Sequence, residues 1–163
     1  MLAQQQSPFC VLVGCSDSRV SPELLFGRGL GEMFIVRNAG NVVDLAAMGN
    51  IEYGVAVLGA PLVVVLGHER CGAVQAAVDV VENDATYPGS IGQMIEPILP
   101  AVIYARRQGE DDLLDRSVRQ NIHRIVQRLR LTEQMLIEPQ RTGRLKILGA
   151  RYDLDDGGVE FFE

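Results

Sequence analysis

The sequence is poor in cysteine, and the few cysteines it has are badly arranged for disulfide bonds. Cys10, Cys15 and Cys71 are an odd number, and no two of them form a Cys-x-x-Cys pair. Such a set is a poor disulfide framework. The thiols are therefore candidates for metal binding, for catalysis or for simple burial in the core.

Long apolar runs are also lacking. The longest, residues 55–67, is interrupted by Gly59 and Pro61 and is too short to span a bilayer. The first residues, MLAQQQSP, lack the basic and then apolar stretches of a secretory signal. We therefore expect no membrane association and a cytoplasmic location, where thiols stay reduced.

Positive charge is outnumbered by negative charge. The chain has 15 Lys and Arg against 21 Asp and Glu, a formal net charge of −6. Nucleic-acid binding depends on clustered Lys and Arg, so no nucleic-acid partner is expected. The most Arg-rich segment, residues 116–130, alternates Arg with apolar residues near helical spacing, which is typical of the solvated face of an amphipathic helix.

What is present is an α/β pattern. Three short apolar runs bounded by turn residues predict buried strands at residues 9–14, 33–36 and 62–66. Residues 44–58 carry apolar side chains every three or four positions, with Asp44 or Asn41 available as a cap, and predict a helix. Strand, helix and strand make a βαβ unit with parallel strands. We therefore predict an α/β fold with a mostly parallel central sheet of about four or five strands flanked by helices.

The second half of the chain is expected to be mostly helical. A helix should begin at residues 72–81, and helical pattern continues over residues 91–140. Breaks are predicted at residues 108–112 and near residues 131–132, where Thr132 could cap the next helix.

The C-terminal residues change to a strand pattern. Residues 145–152 and 159–162 flank an Asp- and Gly-rich stretch, residues 153–158, which predicts a β-hairpin. No repeat, low-complexity segment or linker divides the chain. Residues 1–163, a length typical of one domain, are therefore expected to form a single domain.

Two motifs place thiols and an imidazole where predicted strands end. The first strand runs into Cys15, and the third runs into LGHERCGAV, which contains His68 and Cys71. The carboxyl ends of neighbouring parallel strands lie at one edge of a sheet, where ligands bind. We therefore expect these three side chains to converge into a Cys2His site.

Several chemistries compete for this site. A phosphatase-like nucleophile needs an Arg six residues after the Cys, where Ser21 and Ala77 stand instead. A cysteine-protease-like pair with His68 leaves the second Cys unexplained. A disulfide between Cys15 and Cys71 would be unusual in a reducing compartment, and core burial would be favoured for any one of the three residues alone. Zinc fits best, because two thiolates and an imidazole suit a borderline-soft ion and leave one tetrahedral position open, as in catalytic sites.

Asp17 and Arg19 follow Cys15 at alternate positions. Asp17 could complete the tetrahedron or stand beside a zinc-bound water, and Arg19 could fix it by a bidentate ion pair. A nearby cation keeps the carboxylate ionised, so Asp17 would orient water as a hydrogen-bond acceptor. The alternative is an ordinary turn in which an Asp pairs with a surface Arg.

Four motifs occur in an order and at spacings typical of one enzyme family. They are CSDSRV (residues 15–20), EMFIVRNAGN (residues 32–41), IEYGVAVLG (residues 51–59) and HERCGAV (residues 68–74). Together they resemble the β-class carbonic anhydrases, and the similarity continues into GARYDLDDGGVEFF (residues 149–162). The resemblance implies a carbonate dehydratase, a lyase that reversibly hydrates CO2 to bicarbonate and a proton by zinc-bound hydroxide. The alternatives are hydrolysis of CS2 or carbonyl sulfide on the same fold, and a non-catalytic zinc-stabilised protein.

The resemblance also implies residue roles. One Zn2+ per chain would be held by Cys15, His68 and Cys71, with Asp17 and Arg19 as a dyad that orients or gates the metal position. The implied substrate-binding residues are Gln6, Phe34, Ala39, Tyr53 and Gly72. Because the family's substrate pocket lies at a subunit interface, a homodimer or a tetramer of dimers is implied.

Two features depart from the family pattern. Members usually carry an N-terminal helical arm that wraps the partner subunit, whereas only MLAQQQSP precedes the first strand here. The sequence has no Trp, a residue with which some members build an inhibitory bicarbonate site, and RNAGN (residues 37–41) resembles the subgroup without that site. We therefore expect an open metal position, with Asp17 paired to Arg19.

Overall fold

A five-stranded sheet forms the centre of the computed structural model, which describes residues 3–109 and 111–162. The strands are β1 (Cys10–Gly14), β2 (Met33–Arg37), β3 (Leu62–His68), β4 (Lys146–Tyr152) and β5 (Val159–Phe162). Their order is β2-β1-β3-β4-β5, with the first four parallel and β5 antiparallel to β4. The predicted fold class, including the C-terminal hairpin, is confirmed.

Seven α-helices surround the sheet in these described ranges. They are α1 (Pro22–Leu25), α2 (Leu45–Ala56), α3 (Gly72–Asn83), α4 (Ser90–Ile95), α5 (Leu99–Arg106), α6 (Leu113–Leu131) and α7 (Gln134–Arg141). The predicted helix between the second and third strands is α2, and its N-cap is Asp44, whose carboxylate accepts a hydrogen bond from the backbone N–H of Ala47 (2.8 Å). No helix among the described residues has both the length and the hydrophobicity that a membrane span requires.

The second half of the chain differs from prediction in one cap. Thr132 ends α6 rather than beginning α7, since its hydroxyl donates to the carbonyl of Arg128 (2.8 Å), and Glu133 is the N-cap of α7. A Thr between two helices can satisfy either end, so the sequence does not distinguish them. Within the predicted break at residues 108–112, Glu110 lies outside the described residues.

Helix α6 packs closely on the sheet because two strands present glycine beneath it. A Cβ on Gly67 of β3 would lie 2.5 Å from Cδ1 of Ile122, and one on Gly149 of β4 would lie 2.9 Å from Cγ2 of the same side chain. Both distances are below van der Waals contact. The absence of a side chain at both positions therefore lets the buried face of α6 settle against β3 and β4.

The sheet is covered on both faces, so strand β1, which lies between β2 and β3, is buried from end to end. All five residues of β1 are buried, as expected for a parallel strand between two layers. The face under α6 carries the larger core, and the opposite face carries a smaller cluster that includes Leu12, Val64 and Ala150.

The register of the strands brings the ends of β1 and β3 together. Gly14, the last residue of β1, pairs with Leu66, and β3 ends two residues later at His68. The chain leaves β1 toward β2 on one side and returns to β3 on the other, so the strand order reverses between them. A crevice at such a reversal is where open α/β sheets bind their ligands.

Candidate metal centre

Three soft or borderline ligands converge in that crevice. Cys15 directly follows β1, His68 is the last residue of β3, and Cys71 is the N-cap of α3. All three are buried, with relative exposures of 4%, 0% and 1%. Their candidate donor atoms all lie within 4.8 Å of one another. The structure thus brings together the three predicted ligands across 56 positions of sequence.

The spacing of these atoms fits a tetrahedral zinc ion. Zinc–sulfur bonds of about 2.3 Å at tetrahedral angles place two sulfurs about 3.8 Å apart. The Sγ atoms of Cys15 and Cys71 are 3.9 Å apart. The distance between the two sulfurs is therefore compatible with a tetrahedral Zn2+ bound by both.

The imidazole of His68 also presents a free ligand atom. Its Nδ1 lies 2.9 Å from the carbonyl of Glu69, which fixes the ring and favours the tautomer with the proton on Nδ1. Its Nε2 is buried and has no hydrogen-bond partner among the residues that the structure describes. Buried polar atoms without a partner are rare, and a nitrogen whose ring mate is anchored to a carbonyl is the usual arrangement of a metal-binding histidine.

The contact between the two thiols shifts their pKa values in opposite directions. A hydrogen bond from the Cys71 thiol, helped by backbone N–H groups that include that of Gly40, lowers the pKa of Cys15 to about 4 despite burial. The same contact, together with burial, raises the pKa of Cys71. The contact between the two thiols therefore favours ionisation of Cys15 over Cys71, and a metal bound by both sulfurs would displace the protons that remain. By contrast, burial alone raises the pKa of Cys10 to about 12.

Asp17 and Arg19 form an ion pair at the mouth of the centre. The guanidinium donates from Nε to Oδ1 (3.0 Å) and from Nη2 to Oδ2 (2.7 Å) of Asp17, and the backbone N–H of Arg19 donates to Oδ1 (2.9 Å). These bonds hold the pKa of the Asp17 carboxyl well below its usual range. Oδ2 is also only 3.7 Å from Nε2 of His68. An ionised carboxylate thus stands beside the atom that would bind the metal.

A residue without a role in the sequence-based site, Arg37, clamps the loop that carries these groups. From the end of β2 its Nε donates to the carbonyl of Cys15 (2.8 Å), and its Nη2 donates to the carbonyls of Asp17 (2.7 Å) and Val20 (2.8 Å). One side chain thereby ties the backbone on both sides of Asp17. Its position beside CSDSRV follows from the β1–β2 register, in which Gly14 pairs with Arg37.

Gly40 is a second residue that the sequence reasoning missed. Its backbone N–H donates to Sγ of Cys15 (3.2 Å) from a short 3-10 turn, Ala39–Asn41. The residue has a φ of +65°, and a Cβ there would lie 2.7 Å from Cδ1 of Ile98. Only glycine meets both conditions without strain. The signal in the sequence was the glycine of RNAGN, which lies just past a predicted strand.

The C-terminal hairpin supports the turn between His68 and Cys71. Arg70, which has a left-handed φ of 49°, pairs through both Nη atoms with Asp155 (3.0 and 2.7 Å). The carboxylate of Glu69 accepts from the backbone N–H of Leu154 (3.2 Å). The two metal-binding positions of this turn are therefore held from outside as well as by their own strand and helix.

The predicted substrate residues fall into two groups. Ala39 adjoins Gly40 and lines a cleft with Ser16, and Gly72 begins α3 beside Cys71 with open space where its Cβ would be. Ala39 and Gly72 are thus next in sequence to Gly40, which contacts the Cys15 sulfur, and to Cys71.

The other three predicted substrate residues do not reach the centre of their own chain. Phe34 contacts Tyr53, with ring centroids 6.0 Å apart, and pairs in register with Val11. Val11 is three residues, about 10 Å, from the end of β1 where the ligands lie. Gln6 is exposed and belongs to the irregular segment that leads into the N-terminal end of β1, the end away from Cys15.

Comparison with known proteins gives one consistent family. Residues 10–159 match the family described as carbonic anhydrase. Carbonic anhydrase 2 of Mycobacterium tuberculosis is 45% identical over 157 residues, which cover 96% of this chain and 75% of the relative. A carbonic anhydrase of Mycolicibacterium smegmatis is 40% identical, with 98% and 77% covered.

Solved structures agree. A structure from a study of two tetrameric β-carbonic anhydrases of Sordaria macrospora superposes with a TM-score of 0.89 at 25% identity, covering 99% of this chain and 83% of that one. A β-carbonic anhydrase of Coccomyxa in complex with acetazolamide gives 0.85 at 30% identity, with 98% and 73% covered.

Proposed function

This chain belongs to the β-carbonic anhydrase family and is a carbonate dehydratase, and on that premise we propose that it works with one Zn2+ held by Cys15, His68 and Cys71. The observation that carries the proposal is the buried Nε2 of His68, which lacks a partner and faces two thiol sulfurs at tetrahedral spacing. When bound, the ion would act as a Lewis acid that makes water nucleophilic at neutral pH.

The protein's own part in hydration is to orient the water that attacks CO2. Oδ2 of Asp17 is ionised and lies beside the metal-binding atoms, so it would accept a hydrogen bond from that water. A carboxylate cannot donate, so the water's lone pair is turned away from Asp17 and toward the carbon of CO2. Arg19 fixes both oxygens and keeps the carboxylate off the metal position. Ala39 and Gly72 leave room for a small linear substrate beside it.

A second copy of the chain would complete the substrate pocket, and we propose a homodimer. An exposed apolar stripe is formed by Leu45 and Tyr53 of α2 and by Val57, which caps its C-terminus, with relative exposures of 90%, 47% and 65%. The stripe adjoins β2, the edge strand of the sheet, through the contact of Tyr53 with Phe34. An exposed apolar face beside an open sheet edge favours pairing with another chain. The Sordaria relatives, described as tetrameric, support assembly from more than one copy of the chain.

The dimer is tested by sedimentation velocity on the wild type and on Val57→Glu. We expect the substitution to shift the protein to monomer and to lower CO2 hydration while one Zn2+ per chain is retained. A wild type that sediments as a monomer at full activity would refute the dimer.

The site also constrains where the protein works. Oxidation that joined the neighbouring sulfurs of Cys15 and Cys71 in a disulfide would remove both thiolate ligands, and disulfides persist in oxidising compartments. We propose the cytoplasm, and recovery of the native protein from an oxidising compartment on cell fractionation would contradict this.

The decisive experiment combines stopped-flow CO2 hydration with metal analysis. The proteins are the wild type, Asp17→Asn, His68→Ala and Cys10→Ala, the last a control because the Cys10 thiol belongs to the other face of the sheet. We expect one Zn2+ per chain in all but His68→Ala, and wild-type hydration in Cys10→Ala. Asp17→Asn should lose about a hundredfold or more in rate, because its amide can donate to the water and misorient it.

Each part of the proposal can fail separately. A wild type that hydrates CO2 with no bound zinc refutes the metal assignment. Full activity in zinc-loaded Asp17→Asn removes the carboxylate from the mechanism. Zinc-loaded wild type that hydrolyses carbonyl sulfide or CS2 in preference to hydrating CO2 would replace the proposed substrate.

A further inference from the structure

A buried amide on α6 reaches the turn that touches the Cys15 sulfur. Nδ2 of Asn121 donates to the carbonyl of Gly40 (2.9 Å), in a contact that is buried and spans 81 positions of sequence. Gly40 in turn donates its N–H to Sγ of Cys15 (3.2 Å). Asn121 is 3% exposed. Burial of a side-chain amide costs free energy unless the amide is hydrogen-bonded, so the contact with Gly40 offsets the cost of burying Asn121.

From these contacts we propose that Asn121 is a positioning residue for the metal centre, acting through Gly40 on the Cys15 thiolate. The inference rests on the proposed function in assuming that Cys15 binds the metal. Asn121 does not touch substrate or metal. Its part is to hold the Gly40 turn so that the N–H of Gly40 stays aimed at the sulfur.

The turn transmits this restraint because it has little freedom to move. Gly40 is wedged where even a Cβ would meet Ile98 and Ala73, at 2.7 and 3.2 Å. The turn is also closed by a hydrogen bond that spans Gly40, in which the backbone N–H of Asn41 donates to the carbonyl of Asn38 (2.9 Å). With its neighbours fixed, the carbonyl of Gly40 has one buried donor, Asn121, among the hydrogen bonds of the described residues.

The chemistry of the sulfur explains why such a restraint matters. A thiolate that accepts an N–H hydrogen bond gives less charge to its metal and is fixed in direction. Partners of this kind, one step removed from the ligands, are worth about 10–100-fold in metal affinity. Loss of the Asn121 amide would leave the Gly40 carbonyl buried and unpaired, and the turn would reorient to satisfy it.

The helix itself supplies a matched control. Ser117 lies one turn before Asn121 on α6 and is fully buried, and within the described part of the chain its hydroxyl has no hydrogen-bond partner. Ser117→Ala therefore removes a buried polar group from the same helix without breaking a described contact to the metal centre.

The test compares the wild type with Asn121→Leu, Asn121→Ala and Ser117→Ala. Zinc affinity is measured by competition with a chelator, the thiolate-to-metal charge-transfer band is recorded on the cobalt(II)-loaded proteins, and thermal unfolding is followed without metal. We expect both Asn121 variants to bind zinc about 10–100-fold more weakly and to shift the cobalt band. Ser117→Ala should keep the wild-type affinity and band.

The possible outcomes distinguish a failure of the role proposed for Asn121 from a failure of the proposed metal centre. If folded Asn121 variants keep the wild-type affinity and band, the inference is overturned, even if they melt at lower temperature, because that is a purely structural role. If the wild type shows no thiolate-to-cobalt band, the proposed metal centre fails and the inference falls with it.

If neither Asn121 variant folds, the proposal is tested by NMR on the wild-type protein. NMR coupling between the Gly40 amide proton and cadmium bound at the centre is expected in the wild type, together with slow exchange of the Asn121 side-chain amide protons. Absence of the coupling, or fast exchange of those amide protons, would overturn the proposal.

Discussion

Replacement of Arg37 by Met tests whether the clamp on the 15–20 loop maintains the metal centre. The side chain makes three hydrogen bonds to carbonyls of that loop, two of them part-buried, and Met keeps an unbranched stem like that of Arg but has no donor. We expect Arg37→Met to fold, because the side chain is exposed at the end of an edge strand, but to bind zinc more weakly.

The magnitude follows from the two part-buried bonds. A hydrogen bond contributes about 1 kcal/mol net, and charged donors give more, but the exposure of Arg37 offsets that gain. The loss is therefore about 2 kcal/mol, and because about 1.4 kcal/mol is a factor of ten, the upper limit is about a 30-fold loss of zinc affinity. The bond to the carbonyl of Asp17 is exposed and is left out of this sum.

The assay is chelator competition on metal-free protein, followed by CO2 hydration at saturating zinc. Arg37→Lys should give an intermediate affinity, because one ammonium keeps the charge but cannot span three carbonyls as the planar guanidinium does. Arg141→Met is the control, since Arg141 pairs only within α7 with Glu138 in the described contacts. Wild-type zinc affinity in Arg37→Met would show that the loop holds its shape without the clamp.

Three further predictions concern stability. In metal-free protein, the lowered pKa of Cys15 contributes stability that is fully present above its unfolded pKa of about 8.5 and is lost as pH falls toward about 4. The free energy of urea unfolding should therefore fall more steeply between these pH values in wild type than in Cys15→Ser, and an equal dependence on pH in both proteins would contradict this. Gly67→Ala should destabilise by about 1–3 kcal/mol in thermal or urea unfolding, because its Cβ would meet Ile122, and Ile122→Val should recover part of the loss; an unchanged midpoint would be the contrary result. Zinc at about 100 times its dissociation constant should stabilise wild type by about 2.7 kcal/mol and His68→Ala not at all, and a chelator that leaves the wild-type melting temperature unchanged would refute that linkage.

The sequence predicted most of the fold because its signals are local. Short aliphatic runs ending in Gly or polar residues marked β1 and β3, and the regular apolar spacing after Asp44 marked α2. Thr132 shows the limit, since a hydroxyl between two helices can cap either one. The ends of the strands, and hence the meeting of Cys15 with residues more than fifty positions later, followed from the parallel βαβ rule.

The sequence did not predict Arg37 and Asn121, the two residues that support the metal centre from outside. Arg37 acts through backbone carbonyls of another segment, and no pattern of residue types encodes which carbonyls a side chain will meet. Asn121 sits on a helix whose period explains its neighbours Val118, Ile122 and Ile125 as core, so its burial and its contact with Gly40 depend on how that helix crosses the sheet.

The strand order has a consequence for the nascent chain. β1 is made early but lies between β2 and β3, so its Cys15 has no Cys71 beside it until 56 more residues have been added. At synthesis rates of about 5–20 residues per second this takes roughly 3–11 s. During that time Cys15 has neither Cys71 nor His68 beside it, so its thiol must stay unmodified until the other two residues of the candidate metal centre have been added.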